Sequence, residues 1–447
     1  MAASLFDSAL YGKLFNAGEA GRLFTDSAEV RAMLLVEGAL AKAQGEMGII
    51  PELSARAIHR ATMELQVDPG GLAEATGSNG VSVPALVTAF RGLMQAPEHA
   101  QFVHWGATSQ DIADSALMLR LRQALALIEA DLVAVLDRLA ALAEQHGALP
   151  MAARTYGQHA TPTSFGAVVA AWGSPLLGLL GELEGLRNDC LLVSLSGAAG
   201  TAEALGPEAA ALRAALAKAL GLGDPGRSWH TDRAPVLRLA DWCVRVSLAL
   251  GKMGEDATEL VETGIGELAL GGAGGSSTMP QKQNPVGPSV LVALGRQGAA
   301  LLSALHGAAM PRYQRDGAAW FTEWLSLPQV VLGAAASVRT AVKLVEGLVP
   351  QPSAMAAALG SGLGMIHAEA LSFALAEQMS RPEAQAAVKA LCKEALSSGT
   401  ELRVLAARDF PDLDVAKLFD PSCQMGQAPA EAAAFARAVR ARARTPG

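Results

Sequence analysis

From Asp111 to Gln145 the chain runs for 35 residues without proline or glycine, and its apolar residues recur at helical spacing. At 1.5 Å per residue such a helix is roughly 50 Å long, beyond the usual globular length. It needs partners of similar length along its side. Comparable stretches lie at about 163–188, 233–270, 286–309 and, after Pro328, 329–348. Together they predict an elongated bundle of five helices. Shorter helices are expected at 26–47, capped by Asp26 or Ser27, at 52–66 and at 82–95, with PGG and TGSNG as breaks. Beyond Pro350 the segments shorten, near 352–359, 364–379, 382–397 and 400–407. The expected division is therefore an N-terminal helical domain at 1–110, a central bundle at 111–350 and a small C-terminal helical domain at 351–447. No fixed-period repeat and no convincing β alternation is seen, and the closing ARARTPG reads as a frayed tail.

Apolar residues make up 51% of the chain but aromatics only 4%, so the core must come mainly from Ala, Leu and Val. Ala and Leu are strong helix formers, which agrees with the periodicity. The net charge of −8 excludes a general nucleic-acid binder, which needs a basic surface to displace counterions. A local cationic pocket remains open. Cys190, Cys243, Cys392 and Cys423 form no CxxC pair, so neither a zinc knuckle nor a disulfide framework is indicated. The opening MAASLFDSALYGK has no basic region followed by an apolar run, and no secretion signal is expected. Between Arg154 and Glu182 there is no charged side chain, a stretch long enough to span a bilayer. Gln158, His159, Pro162, Pro175 and several Gly, Ser and Thr within it favour a helix buried in a bundle instead. The expectation is a soluble, cytoplasmic protein.

Three polar islands interrupt this background, each at a junction between helices. In the first, His104-Trp105-Gly106-Ala107-Thr108-Ser109-Gln110-Asp111, helix capping alone accounts for Thr108, Ser109 and Asp111. It does not account for His104-Trp105, and a helix N-terminus also suits an anion. The second is Arg154-Thr155-Tyr156-Gly157-Gln158-His159-Ala160-Thr161-Pro162-Thr163, with Pro162 fitting the first turn of a helix. An Arg, a Gln and a His beside an uncharged stretch are costly unless paired. Capping loop and functional loop are equally compatible with it. The third runs from Gly271 to Pro285, GGAGGSSTMPQKQNP. Four glycines in five residues cannot rest in a helix. A phosphate loop is excluded because Lys282 is followed by Gln and no strand precedes it. A Gly-rich segment carrying Ser and a cation suits a lid that closes over an anion.

GSSTMPQKQNP resembles the signature of the fumarase/aspartase superfamily, and the first two islands resemble its other motif regions in the same order. The resemblance implies an all-α, fumarase/aspartase-like three-domain fold. Its central long five-helix bundle forms a twenty-helix core in a homotetramer, and each active site is shared between subunits. It implies β-elimination from, or addition to, a succinyl-like unit, with no metal or organic cofactor. Within the superfamily, TGSNGVSVPALV, FVHWGATSQD, RTYGQHATPTSFG, SWHTDR, WFTEWLSLP and QMGQA are most similar to the cycloisomerase branch. The Arg-Tyr pair and Lys-His-Asp segment usual in adenylosuccinate lyases are missing.

That branch closes a lactone, converting 3-carboxy-cis,cis-muconate to 4-carboxymuconolactone in protocatechuate breakdown. The resemblance implies that Ser276 transfers the proton, with Lys282 and nearby N–H groups stabilising its alkoxide. Lys282 and Asn284 would hold the carboxylate that carries the developing charge, beside Ser277 and Met279. Many relatives place a catalytic His after the Thr155 equivalent; here the residue is Tyr156. A carboxylate leaving group has a pKa around 4 and needs no second acid or base. An amine-releasing lyase would need one. His159 either takes over that role or contacts substrate. For a tricarboxylate, Arg154, Lys282, Arg233 and Arg315 are the expected cations, although Arg233 and Arg315 are equally compatible with surface ion pairs. His104, Thr108, Ser109, Gln158 and His230 are the expected neutral donors. Trp320 and Glu323 are expected to pack or to support other residues. The alternatives are adenylosuccinate lyase or another succinyl-group lyase, and an inactive, crystallin-like structural protein.

Overall fold

Helices form where the apolar periodicity is longest. The computed structural model describes residues 4–442 apart from 273, 276–278, 280 and 281. Its long helices are Ser109–Gln145, Phe165–Cys190, Ala234–Leu260, Val286–Ala308 and Gly317–Glu346. Strands are few and short. Pro150–Thr155 pairs with Gln158–Ser164, Leu268–Leu270 with Leu348–Pro350, and Gly274–Gly275 with Gln283–Asn284, each antiparallel. The fold is all-α in class.

Two compact units account for the chain. The first comprises Met1–Asp131, Leu179–Leu248 and Ala293–Thr340. Its core joins Val36, Ile58, Leu86 and Phe90 of the N-terminal helices to Ile112, Ala116, Val193 and Leu216. Thr25 caps the helix Asp26–Glu46, accepting from the Ala28 N–H, one residue before the expected cap. The helix Ala209–Leu220 was not anticipated.

The second unit comprises Leu132–Gly178, Ala249–Val292 and Ala341–Gly447. A C-terminal core of Leu371, Leu375, Ala395, Leu402 and Ala406 is buried within it. Its helix Arg381–Ser398 opens on a Ser380–Glu383 capping box and closes on Gly399 in the left-handed region. The helix Ala428–Arg442 continues into the segment expected to fray; 443–447 lie outside the described residues.

Three expectations are corrected. The second polar island is a β-hairpin, not a capping loop, and Pro162 lies in its second strand opposite Ala152. The ladder shifts between Ala152 and Arg154, and such irregularities are where a strand accepts proline. Tyr156 and Gly157 form the turn with φ of 51° and 72°, the left-handed pair that two-residue hairpins favour. The helix expected over 233–270 stops at Leu260, because Gly264 and Gly266 turn the chain at φ of 97° and 60° before the strand at Leu268. The last long helix begins at Gly317 and passes through Pro328; Asp316 sets its start by accepting from the Ala318 N–H.

Phe165–Cys190, Val286–Ala308 and Gly317–Glu346 are long and apolar enough to cross a membrane by length and composition alone. The first nevertheless carries a polar contact along its side: Trp172 donates from Nε1 to Asp256 at 2.7 Å. Gly166, in its first turn, admits the chain at 143–147. A Cβ there would meet the Ala143 carbonyl oxygen at 2.5 Å and the Gly147 Cα at 2.6 Å. Neither backbone atom can yield as a side chain would. Gly166→Ala gains at most ~1 kcal/mol of helix propensity against about 1–3 kcal/mol of overpacking. Denaturant unfolding should therefore show a net loss of stability, with the midpoint shifted and the slope unchanged.

Candidate functional site

The first group of site residues forms around the start of the helix Ser109–Gln145, in the first unit. Asp111 is fully buried there. Its Oδ1 accepts from the Ser194 hydroxyl at 3.0 Å, the Ser196 N–H at 2.8 Å and His230 Nε2 at 2.8 Å. Its Oδ2 accepts from the Gly197 N–H at 2.9 Å and the Thr108 N–H at 3.1 Å. One carboxylate thus ties the helix cap to the segment 194–197 and to the SWHTDR motif. An ionised carboxylate only accepts, so His230 must donate from Nε2. Its Nδ1 is buried with no partner among the described residues. In the neutral ring that nitrogen is an acceptor, where the sequence suggested a donor.

Arg315 is held against this cap and its side chain stays exposed. Nε donates to Gln110 Oε1 at 3.1 Å, and Nη2 to Thr108 Oγ1 and to the Ala198 carbonyl, both at 3.2 Å. Arg233, expected to meet a ligand carboxylate, is buried and meets two of the chain's own. It donates to Asp114 at 2.8 and 3.1 Å and to Glu323 at 2.9 and 2.7 Å. Burial alone would weaken this cation, but the two carboxylates outweigh it and raise its pKa above the ordinary value. Glu323 is therefore a support for Arg233, and Trp320 is buried.

His104 adopts φ of 64° and turns its ring inward, Nδ1 lying 2.7 Å from Glu37 Oε1. Glu37 itself is buried. Burial opposes the imidazolium, yet the Glu37 hydrogen bond and charge prevail, and the His104 pKa is raised. Gly106, at φ of 74°, follows in the same turn, where a Cβ would strike Leu205 at 2.6 Å. A cavity of about 490 Å³ opens in this unit, lined by Thr76 and Ser82 of the TGSNGVSVPALV stretch, with Asp114, Trp320 and Glu323 among its walls. A void beside Gln110, His230 and Arg315, about 10 Å³ in volume, has room for roughly one water.

The second group lies in the second unit. Arg154 donates from Nη1 to Glu267 Oε2 at 2.7 Å. Thr155, Tyr156, Gln158 and His159 occupy the exposed end of the same hairpin. His159 Nδ1 lies 3.5 Å from the Ser361 hydroxyl. In the third island, Asn284 pairs with Gly274, and the Lys282 N–H donates to the Met279 carbonyl at 3.0 Å, with the Lys282 side chain exposed. Ser276 and Ser277 lie outside the described residues. Among the described residues no group of three His, Cys, Asp or Glu is placed to hold a metal.

Thr108, His230 and Arg315 are therefore brought together, with Ser109 beside them, while Arg154 and His159 share one hairpin. Sequence reasoning did not foresee the organising roles of Asp111, Gln110, Asp114, Glu37 and Glu267. The available signal was polar residues at core positions of apolar helices, as Gln110, Asp111 and Asp114 are.

A family described as Lyase matches residues 16–297. A 3-carboxy-cis,cis-muconate cycloisomerase of Pseudomonas aeruginosa is 38% identical over 432 residues, covering 94% of this chain and 94% of the relative. A nitrosuccinate lyase of Streptomyces davaonensis is 34% identical over 449 residues, covering 96% and 94%. The solved structure of the 3-carboxy-cis,cis-muconate lactonizing enzyme from Pseudomonas putida superposes with a TM-score of 0.91 at 33% identity, covering 97% of this chain and 99% of that one.

Two measurements test this description. Asp111→Asn removes the anionic acceptor shared by five donors, four of them buried, and should lower unfolding stability by about 3 kcal/mol. The His104–Glu37 pair stabilises the fold fully below the unfolded His pKa of 6.5, and that stability is lost as pH rises through the raised folded value. His104→Gln should flatten the stability–pH curve above pH 6.5, compared by urea unfolding at several pH values.

Proposed function

Because the chain belongs to the lyase family, we propose that it lactonises 3-carboxy-cis,cis-muconate to 4-carboxymuconolactone. The observation that carries this reading is the near full-length likeness, in sequence and in structure, to enzymes of that reaction. The departure at Tyr156 supports it, since lactone closure needs no acid for a departing amine.

One terminal carboxylate of the substrate adds to the carbon bearing the 3-carboxyl. The new C–O bond forms as the carbon–carbon double bond opens, and a proton is delivered to the neighbouring carbon, which becomes the acetate arm. Ser276 is the proposed proton donor. Lys282 and Asn284 stabilise the aci-carboxylate beside it, with Ser277 and Met279 completing the lid. Arg315 and Arg154 take the remaining carboxylates in active sites that subunits share, aided by Thr108, Ser109, Thr155 and Gln158; His159 contacts the substrate, and His230, its one donor given to Asp111, supports the helix cap.

We place this reaction in the cytoplasm, in a homotetramer whose active sites are shared between subunits. The proposed division is 1–110, 111–350 and 351–447, with no metal or organic cofactor in the reaction. The likeness to a nitrosuccinate lyase favours a second reading, β-elimination from a succinyl unit.

Lactonisation breaks the conjugated diene, so the ultraviolet band of 3-carboxy-cis,cis-muconate should decay on adding the protein. Ser276→Ala should slow that decay by about 10²–10⁴-fold, the usual contribution of one proton-transfer group. Near wild-type decay in the variant would remove Ser276 from the mechanism. A persistent band with the folded wild type would move the assignment to succinyl substrates.

A further inference from the structure

We infer that Glu267 is a positioning residue that fixes Arg154 against the stem of the Gly-rich segment. This rests on the reading that Arg154 binds a substrate carboxylate. Glu267 is fully buried, and a buried carboxylate is costly unless paired. Its Oε2 accepts from Arg154 at 2.7 Å, while its Oε1 is buried with no partner among the described residues. The Glu267 charge therefore depends on the Arg154 guanidinium, which gives that guanidinium one strongly preferred place. The arginine is pinned through Nη1, with 18% of its side chain still exposed. That leaves a face for an anion.

The backbone of Glu267 is anchored as firmly as its side chain. Its carbonyl accepts from the Gln351 N–H at 2.9 Å, and the strand Leu268–Leu270 begins at the next residue, paired with Leu348–Pro350. At the end of that strand the Gly271 N–H donates to the Gly347 carbonyl at 2.7 Å, and Ser276 follows nine residues after Glu267. One ion pair thus joins the hairpin of the second polar island to the strand that leads into the third.

The test is Glu267→Gln, which keeps shape and removes charge, compared with Arg154→Gln and with both changes together. Lactonisation kinetics are measured alongside calorimetric binding of propane-1,2,3-tricarboxylate, a readout that needs no turnover. Glu267→Gln should raise KM and the tricarboxylate Kd by about tenfold or more, as misplacement of a binding group does, with kcat changed far less. The double variant should bind no more weakly than Arg154→Gln, because Glu267 acts through the arginine. Additive losses would overturn the proposal. So would a lowered Tm with unchanged KM and Kd in Glu267→Gln while Arg154→Gln weakens binding. If Arg154→Gln leaves both constants unchanged, the reading of Arg154 fails first and the positioning role fails with it.

Discussion

The buried carboxylate of Asp111 is the contact on which the first group of site residues depends. Three of its five donors are backbone N–H groups, at Thr108, Ser196 and Gly197. Asp111 satisfies all three, so the cap and the segment 194–197 are held in one register. Arg315 then finds its acceptors, Thr108 Oγ1 and the Ala198 carbonyl, on either side of that junction. His230 is oriented by the same oxygen that orients Ser196. The arrangement resembles a metal site's outer sphere in logic: one anion, not itself presented to a ligand, decides where the presented groups point.

The cations divide by burial. Arg233 is enclosed by Asp114 and Glu323 and stacked over Trp229, its centre 4.9 Å from that ring. With two carboxylates around one guanidinium, it holds helices together and has little left for a ligand. Arg315 and Lys282 are exposed, and Arg154 is pinned on one side only. A protein of net charge −8 can thus still present local positive charge, because Asp114 and Glu323 are already paired with the buried Arg233.

The long helices were legible in the sequence because apolar spacing over 20 or more residues leaves no other structure able to bury it. The hairpin at 150–164 was not legible. Its strands are short and mix Ala, Pro and Thr, so neither alternation nor a turn dipeptide such as Asn-Gly announced it. The end of the helix at Leu260 was missed because Val261, Ile265 and Leu268 continue the apolar rhythm through two turn glycines. For the candidate site, motif resemblance pointed to His104, Thr108, Arg154 and His230, and the need for cations pointed to Arg315. What it could not reveal was which charges face one another. Arg154 and Glu267 are 113 residues apart, and only the fold brings them to one ion pair.

The turn at Tyr156 has a bearing on which side chains its position accepts. Its left-handed backbone is one that histidine adopts more readily than most side chains. The resemblance implies that histidine stands at this position in many amine-releasing relatives. The main chain here already suits that residue, so exchanging tyrosine for histidine at position 156 asks for no new backbone conformation. Divergence at this point is a matter of one side chain on a permissive corner, and drift across it in either direction would leave the ladder beneath untouched.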